Sequence, residues 1–353
     1  MAPQNSDQVI LTNASFEDNE IITGQRKRIV IFSFLVLMSI FIIIINCFVV
    51  FLVWRKRTLR TPANMFLTSL ACSDFLSGAC AIPLIITCEV LETRHSWSGP
   101  FCLSMDLINR MLSISSIFHL LVIAVERYVV IVRHVKPDDF VSCKKYSVIV
   151  SALWLIPVSA SFIQLTWIPL KDGVPQLQGI SQSEIIYDIV CIFGFVFFPL
   201  MIIVIAYSKV FSVLRRHAKE IDKHTLVFMA SSRNQRHKLK EKRATLIYAS
   251  MIVFYVIGWF PYFLLSLSYD LGVGEEVLNI PYWTDTLFMF CRFLSPLVNP
   301  LLYTFFKQDF KAVIFAMRRG STANADQLLE TSSPSNTIPL RHLRDPATSG
   351  EPL

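Results

Sequence analysis

The chain has 353 residues, of which 53% are hydrophobic and 17% charged, and its formal net charge is +7. A soluble globular protein carries roughly 25% charged residues, so this composition argues against a soluble domain and for a membrane protein. The basic residues follow alternate loops of the chain, which excludes the basic surface of a nucleic-acid-binding protein.

Seven apolar blocks follow one another along the chain, and each is long enough to cross a bilayer. A transmembrane helix needs about 20 predominantly apolar residues. The blocks cover residues 29–54, 64–87, 103–132, 146–169, 185–212, 244–269 and 281–305. No internal repeat is visible, which argues against a transporter built from duplicated halves. The pattern predicts an all-α integral membrane protein, a seven-transmembrane helix bundle surrounded by membrane lipids.

The lysines and arginines between these blocks predict the orientation of the bundle. Four follow the first block, four follow the third and ten lie in residues 215–243, whereas the other loops are poor in them. The positive-inside rule then puts the N-terminus outside and the C-terminus inside. Arg26, Lys27 and Arg28 disagree with this orientation, because they precede the first block on the predicted outer side, but the basic residues of the later loops outnumber them. We therefore expect an extracellular tail at 1–28, a transmembrane domain at 29–305, a short amphipathic cytoplasmic helix at 306–319 and a disordered cytoplasmic tail at 320–353.

The predicted outer tail carries one modification pattern. Asn13-Ala14-Ser15 is an acceptor triplet for N-glycosylation. Residues 1–27 lack the apolar core of a cleavable signal peptide, so we expect the first block to direct its own insertion.

Each block also carries polar or proline residues at marked positions. In chain order these are Asn46, Asp74, Cys102, Glu126-Arg127-Tyr128, Trp154, Pro157, Pro199, Tyr207, Trp259, Pro261, Asn299, Pro300 and Tyr303. Their order and spacing resemble the rhodopsin-like family of G-protein-coupled receptors over about residues 29–319. The stretches FVFFPLMIIVIAY and WFPYF are similar to receptors for biogenic amines. The resemblance implies a plasma-membrane receptor, not an enzyme, that binds an extracellular ligand between its helices and activates a heterotrimeric G protein.

The resemblance assigns an activation switch to the inner end of the bundle. Arg127 would pair with Glu126 and reach Glu241 in the resting state, and would swing towards Tyr207 and Tyr303 in the active state. The alternative is two interfacial charges that reach the inner lipid headgroups. The switch and G-protein-coupling residues implied by the resemblance are Glu126, Arg127, Tyr128, Tyr207, Glu241, Asn299, Pro300 and Tyr303.

A second implied feature is a polar cluster around Asp74, an acid in the middle of a span. In many members of the family this cluster holds a sodium ion, and oxygen ligands suit such a hard cation. The alternative is a water-filled cluster without sodium. The cluster residues are Asn46, Asp74, Ser116, Ser295 and Asn299.

The resemblance places a ligand pocket around ten residues: Asp106, Asn109, Arg110, Ser113, Cys191, Phe195, Trp259, Tyr262, Phe263 and Arg292. Amine receptors carry an aspartate where this chain has Asn109, although Asp106 lies about one turn away on a similar face. Three alternatives stay open. Asp106 and Arg292 form an internal ion pair, or Arg292 or Arg110 binds an acidic ligand or peptide, or Asp106 binds an amine.

Three other departures from the family concern retinal binding, ease of signalling and the disulfide. Residues 281–306 contain no lysine, so we expect no covalently bound retinal. Gly258 replaces the cysteine often found before Trp259, a change that bears on how readily the receptor signals. The second outer loop lacks the usual cysteine, so Cys102 is either bonded to Cys88 or free.

The remaining partners and alternatives follow from the loops and tail. The serines and threonine at Ser332, Ser333, Ser335 and Thr337 are candidates for a receptor kinase and for arrestin recruitment. A proton pump or an intramembrane protease would need acids or catalytic pairs at matched depth, which the blocks lack. The alternative that stays open is a non-signalling scavenger or decoy receptor with seven helices.

Overall fold

The structure, a computed structural model, describes residues 6–92, 98–135, 143–168, 170–171, 174–175, 182–223, 231–271 and 283–318. These residues are almost entirely helical, as predicted. The predicted cytoplasmic tail at 320–353, with its candidate phosphorylation sites, lies outside them.

The helices follow the apolar blocks in chain order. They are α1 Ser6–Arg55, α2 Pro62–Leu76, α3 Ile82–Glu92, α4 Ser98–Val132, α5 Cys143–Phe162, α6 Gln182–Val190, α7 Phe198–Lys223, α8 Ser231–Asp270, α9 Trp283–Arg292, α10 Leu294–Phe306 and α11 Gln308–Arg318. Two strands, β1 Leu170–Lys171 and β2 Val174–Pro175, pair antiparallel, with Leu170 opposite Pro175. The π-helical turns Ser77–Ala81 and Cys191–Phe197 join α2 to α3 and α6 to α7.

Within the described residues, seven helical stretches are long and apolar enough to cross a membrane, which confirms the predicted seven-helix bundle. We call them the first to seventh spans. They are Ile22–Arg55, Pro62–Leu91, Gly99–Val132, Lys144–Thr166, Gln182–Arg216, Glu241–Ser268 and Trp283–Phe306. The helix of the first span begins at Ser6, before the predicted boundary at residue 28. Hydropathy located that boundary, whereas backbone hydrogen bonding continues through polar residues.

Local sequence explains several of the ends. Pro62 occupies the first position of α2, where its missing N–H costs nothing, and Thr61 caps the helix by accepting a hydrogen bond from the Asn64 N–H at 3.4 Å. The third span ends just before His134, whose φ of 54° lies in the left-handed region that a helix cannot continue through.

The third span is the centre of the bundle. It packs against the second, fourth, fifth and sixth spans. Buried aromatic side chains from the sixth and seventh spans, among them Trp259, Tyr255 and Tyr303, fill the space beside it. On the outer face, large apolar side chains such as Trp54 and Val148 are 70% exposed. An apolar outer face is what a bundle in lipid requires.

The bundle has two chemically different ends. A disulfide joins Cys88 and Cys102 across the second and third spans, with the Cα atoms 5.0 Å apart. This is one of the two states that the sequence left open for Cys102. We call this end, which also carries the β1–β2 hairpin, the disulfide end. The opposite end carries Glu126, Arg127 and α11.

Candidate functional site

A cavity of about 380 Å³ opens at the disulfide end, and residues of the third to the seventh spans line it. Its size is within the range of small-molecule sites in proteins. Its wall carries an unusual density of charge for a membrane span. The lining residues are Asp106, Arg110, Gln164, Glu184, Tyr262, Leu265, Ser266, Asp285, Phe288, Met289 and Arg292.

Arg110 belongs to a buried network that crosses three spans. Its guanidinium donates to Asp188 at the start of the fifth span and, at 3.2 Å, to the Ser266 hydroxyl on the sixth. Ser266 in turn donates to the second carboxylate oxygen of Asp188 at 2.7 Å, and the Arg110 guanidinium lies over the Tyr187 ring. The side chains of Arg110 and Asp188 are 7% and 1% exposed. The guanidinium of Arg110 is therefore already paired within the protein.

The direct ion pair of Asp106 with Arg292, one of the three alternatives from the sequence, is not among the ion pairs of the described residues. Within the part of the chain that the structure describes, neither side chain forms an ion pair. Arg292 lies instead over the ring of Tyr262, with the guanidinium carbon 4.6 Å from the ring centre. Sequence spacing put both charges at the same end of the bundle but could not tell how the third and seventh spans rotate towards each other.

Asp188 is the partner that the sequence reasoning missed. It lies in the first two turns of the fifth span, beside the polar residues of a predicted loop, where an acid is ordinary. The signal that could have found it is the arginine itself. A basic residue inside a membrane span, such as Arg110, needs a buried acid as its counter-charge. Asp188 is an acid at the same end of the bundle.

Four of the ten predicted pocket residues line the cavity: Asp106, Arg110, Tyr262 and Arg292. The other six are placed outside its lining. Asn109 is fully buried and donates to the Met105 carbonyl, while Ser113 meets the Tyr255 hydroxyl at 3.2 Å. The others, which pack in the apolar core, are Cys191, Phe195, Trp259 and Phe263.

The predicted cluster around Asp74 comes together in the middle of the bundle. Asn299 donates through its amide nitrogen to Asp74 and to the Ser295 hydroxyl, both at 3.2 Å. Asn46 donates to the Ile42 carbonyl at 2.9 Å and to the Pro296 carbonyl at 3.1 Å. Ser116, the fifth predicted member, is 4% exposed on the third span.

Several oxygens of this cluster are buried without a hydrogen-bond partner among the described residues. They are Oδ1 of Asp74, Oδ1 of Asn46, Oδ1 of Asn299 and Oγ of Ser73. A carboxylate and neutral oxygens that lack donors are the ligand set of a small hard cation. The residues present therefore fit a sodium ion.

At the opposite end, Glu126 and Arg127 form a close ion pair. Nε of Arg127 lies 2.6 Å from one carboxylate oxygen of Glu126, and Nη2 donates to the other at 3.0 Å. Glu126 is 1% exposed, which fits a buried pair better than two charges that reach the inner lipid headgroups. Tyr128 beside them packs half-buried against the core. Glu241 begins the sixth span, and its contact with Arg127 stays a prediction.

Three tyrosine hydroxyls are buried at this end without a hydrogen-bond partner among the described side chains. They belong to Tyr207 of the fifth span, Tyr248 of the sixth and Tyr303 of the seventh. Asn299 and Pro300, one turn before Tyr303, are also buried. An unpartnered buried hydroxyl costs free energy, so these three groups are the polar atoms at this end that a rearrangement of the helices or a water molecule would stabilise.

Tyr248 lies between two cations. Arg127 is 5.5 Å and the ammonium of Lys307 is 5.7 Å from the centre of its ring. Lys307, between α10 and α11, also donates to the side chain of Asn64 at the start of α2. The ring thus connects the sixth span to the third span and to the junction before α11. Tyr248 could not be identified from the sequence, because an aromatic residue in an apolar span is ordinary.

A third polar network surrounds His119 in the middle of the bundle. Its Nε2 meets the Ser69 hydroxyl at 2.8 Å and its Nδ1 meets the Ser115 carbonyl at 2.7 Å. The indole N–H of Trp154 donates to the same Ser69 hydroxyl at 3.1 Å. The imidazole is fully satisfied by the second, third and fourth spans, so it acts as a connection between helices and leaves no nitrogen for catalysis.

Comparison with known proteins adds independent findings. The family model "7 transmembrane receptor (rhodopsin family)" matches residues 45–303. Trace amine-associated receptor 6 of Pan troglodytes is 25% identical over 316 residues, which cover 84% of this chain and 86% of that receptor. Histamine H2 receptor of Canis lupus familiaris is 26% identical over 303 residues, which cover 84% of this chain and 80% of that receptor. Trace amine-associated receptor 9 of Mus musculus is 24% identical over 315 residues, with coverage of 85% and 87%.

Proposed function

The chain belongs to the rhodopsin family of seven-transmembrane receptors, and from that premise we propose that its cavity binds a small cationic ligand. It is a G-protein-coupled receptor, a multi-pass protein of the plasma membrane, and not an enzyme. We infer the chemistry of the ligand from the charged residues that line the cavity.

The proposal of a cationic ligand rests on the charged residues around the cavity. Asp106, Glu184 and Asp285 line it together with two arginines, and one of these arginines is neutralised by Asp188 behind the wall. Asp285 has a further interaction of its own, so we count Asp106, Glu184 and Asp188 against the two guanidinium groups, which leaves a formal charge of −1. In a site walled by low-dielectric protein and lipid, such an excess favours a cation and raises its local concentration.

Asp106 is the carboxylate that we assign to the ligand's cation. It lines the cavity, it forms no ion pair with another described residue, and it lies one helical turn from Asn109, which is buried away from the cavity. The named relatives are receptors for histamine and trace amines, which supports a cationic ligand. The alternative of a purely acidic ligand fits less well, because Arg110 already donates to Asp188 and only Arg292 of the two arginines in the lining is left for it.

We assign signalling to the opposite end of the bundle. The Glu126–Arg127 pair, the unpartnered hydroxyls of Tyr207 and Tyr303 and the Asn299–Pro300 step support a two-state switch that opens for a G protein. A decoy receptor has no need of these buried, unsatisfied groups, so the signalling interpretation is preferred. Receptor kinase and arrestin would act on the chain beyond α11.

We propose that a sodium ion occupies the cluster around Asp74 in the resting state. Asp74 would supply the charge, and Asn46, Ser73, Ser116, Ser295 and Asn299 are the available neutral oxygens. The ion would neutralise a carboxylate that is fully buried in a membrane span. Sodium should therefore raise the thermal stability of the intact chain, and should not stabilise Asp74→Asn.

The experiment for the ligand uses Asp106→Asn and Glu89→Gln. Both remove one negative charge at the disulfide end, but Glu89 is exposed and lies outside the cavity lining. Cells expressing each form at equal surface density are titrated with 2-phenylethylamine, histamine and related amines, and G-protein activation is recorded. A response of the intact chain that Asp106→Asn weakens at least tenfold, and Glu89→Gln leaves unchanged, supports the proposal. Equal responses of all three forms contradict it.

A further inference from the structure

Arg292 differs from the other arginines inside the spans. Arg110 is paired with Asp188 and Arg127 with Glu126. Arg292, on the seventh span, forms no hydrogen bond or ion pair with any residue that the structure describes, although it lines the cavity. An arginine inside a membrane span is costly and is normally paired, but among the described residues only Tyr262 contacts this guanidinium, and Asp106 acts on it through its charge without forming an ion pair. The N–H donors of Arg292 are therefore available to a ligand.

The contact with Tyr262 leaves the hydrogen-bonding groups of Arg292 available. A guanidinium above an aromatic ring is attracted through its face. Its five N–H donors lie in the plane of the group and do not take part in that contact. A planar guanidinium with its edge available fits a carboxylate or phosphate through two parallel hydrogen bonds.

The backbone holds Arg292 in this position. Gly258 of the sixth span lies one turn before Tyr262, and an added Cβ there would come within 3.4 Å of the Arg292 Cα. The backbone of the seventh span is therefore packed directly on the sixth at this level. Such close packing fixes the backbone of Arg292, and the Tyr262 ring contacts its guanidinium; a side chain that is held in this way loses less entropy on binding.

We infer that Arg292 binds an anionic group of the same ligand whose cation pairs with Asp106. This inference rests on the proposed cationic ligand and narrows it to a zwitterion, of the class of amino acids and their derivatives. Both charges line one cavity of about 380 Å³, which holds one small molecule. A bare amine would leave the guanidinium without a partner, and a bare acid would leave Asp106 without one.

The experiment compares matched sets of small molecules on the purified full chain. Each set contains an amine, the corresponding amino acid and the corresponding acid without nitrogen, for example 2-phenylethylamine, phenylalanine and 3-phenylpropionate. Binding is read as an increase in apparent melting temperature over a concentration series. We expect an amino acid to bind at least tenfold more tightly than the amine and the acid of its set.

Three variants separate the roles of the two charges. Arg292→Gln should abolish the preference, so that the amino acid binds no better than its amine, whereas Asp106→Asn should weaken both. Arg292→Lys keeps the charge but not the two parallel hydrogen bonds, so its preference for the amino acid should lie between those of the intact chain and Arg292→Gln. This variant also tests the role of Arg292 if Arg292→Gln does not fold. Arg133→Gln removes an exposed arginine at the opposite end and should change nothing.

The outcomes distinguish this inference from the proposed function. If amines bind more tightly than amino acids, the zwitterion is refuted and the cationic ligand stands. If the acids bind most tightly, or if no member of any set binds, both are refuted. A preference for amino acids that survives Arg292→Gln refutes the role of Arg292.

Discussion

Replacing Gly258 by alanine tests how tightly the sixth and seventh spans are packed. A Cβ at this position would lie 2.5 Å from the Cys291 carbonyl oxygen and 3.3 Å from its carbon. Ordinary contact begins near 3.4 Å, so the oxygen is about 0.9 Å too close. The neighbour is backbone and cannot rotate away, so the two helices must separate.

The expected cost follows from two opposing effects. Overpacking of a well-filled interior costs about 1–3 kcal/mol, and we expect the upper part of this range because backbone must move. Alanine in place of glycine inside a helix contributes about 1 kcal/mol in the other direction. The net loss is therefore about 2 kcal/mol, read as a lower apparent melting temperature at a fixed scan rate in detergent.

Two other glycines provide matched controls. A Cβ at Gly194 would meet only Val190, at 4.0 Å, and a Cβ at Gly24 would meet nothing within 4 Å. Alanine at these positions should be neutral or stabilising by up to about 1 kcal/mol. If Gly258→Ala melts at or above the intact chain while the controls behave as expected, the close approach of the sixth and seventh spans is refuted.

Three further substitutions test other contacts of the bundle. Cys102→Ala should lower stability by about 3 kcal/mol, because the closed loop is short, and removal of Cys88 as well should add nothing, as both thermal melts will show. Asp188→Asn should cost about 3–5 kcal/mol in the same assay because it leaves Arg110 buried without a counter-charge, and Arg110→Met should partly restore the loss. Tyr248→Leu should raise ligand-independent G-protein signalling by up to about tenfold, because it removes two cation–π contacts, whereas Tyr248→Phe keeps the ring and should change basal output little.

Contrary outcomes are specific for each contact. Additive losses from the two cysteine changes would mean that the thiols act separately. A double variant of Arg110 and Asp188 as unstable as the single one would mean that packing, not charge, holds the network. A silent Tyr248→Leu, or a Tyr248→Phe that signals equally strongly, would assign the effect to the hydroxyl or to no group at all.

The seven spans could be predicted from the sequence because a bilayer requires each of them to be a long apolar helix. About 20 apolar residues suffice to identify a span, and hydrogen bonding within each helix leaves few alternatives. The ends were less certain, since hydropathy falls at Arg26 and Arg28 while the helix continues to Ser6. The π-helical turn Cys191–Phe197 was also not predicted, because its residues are ordinary for a span.

The site was only partly predictable, because contacts between helices depend on their rotation. Asp106 and Arg292 were identified as candidates from charge alone, and both line the cavity. Whether they pair with each other could not be decided from the sequence, since charge and depth do not specify which faces meet. The network of Arg110 and Asp188 needs the relative rotation of three spans, which one sequence without packing information does not provide.

The disulfide between Cys88 and Cys102 has a consequence for how this receptor can change over generations or in the laboratory. It joins two spans of the scaffold, and residues 167–184, which contain the β1–β2 hairpin, contain no cysteine. Oxidative folding therefore makes no demand on the length or composition of that hairpin. A new segment without cysteine between Leu170 and Pro175 would therefore leave the Cys88–Cys102 bond without a competing thiol from this hairpin.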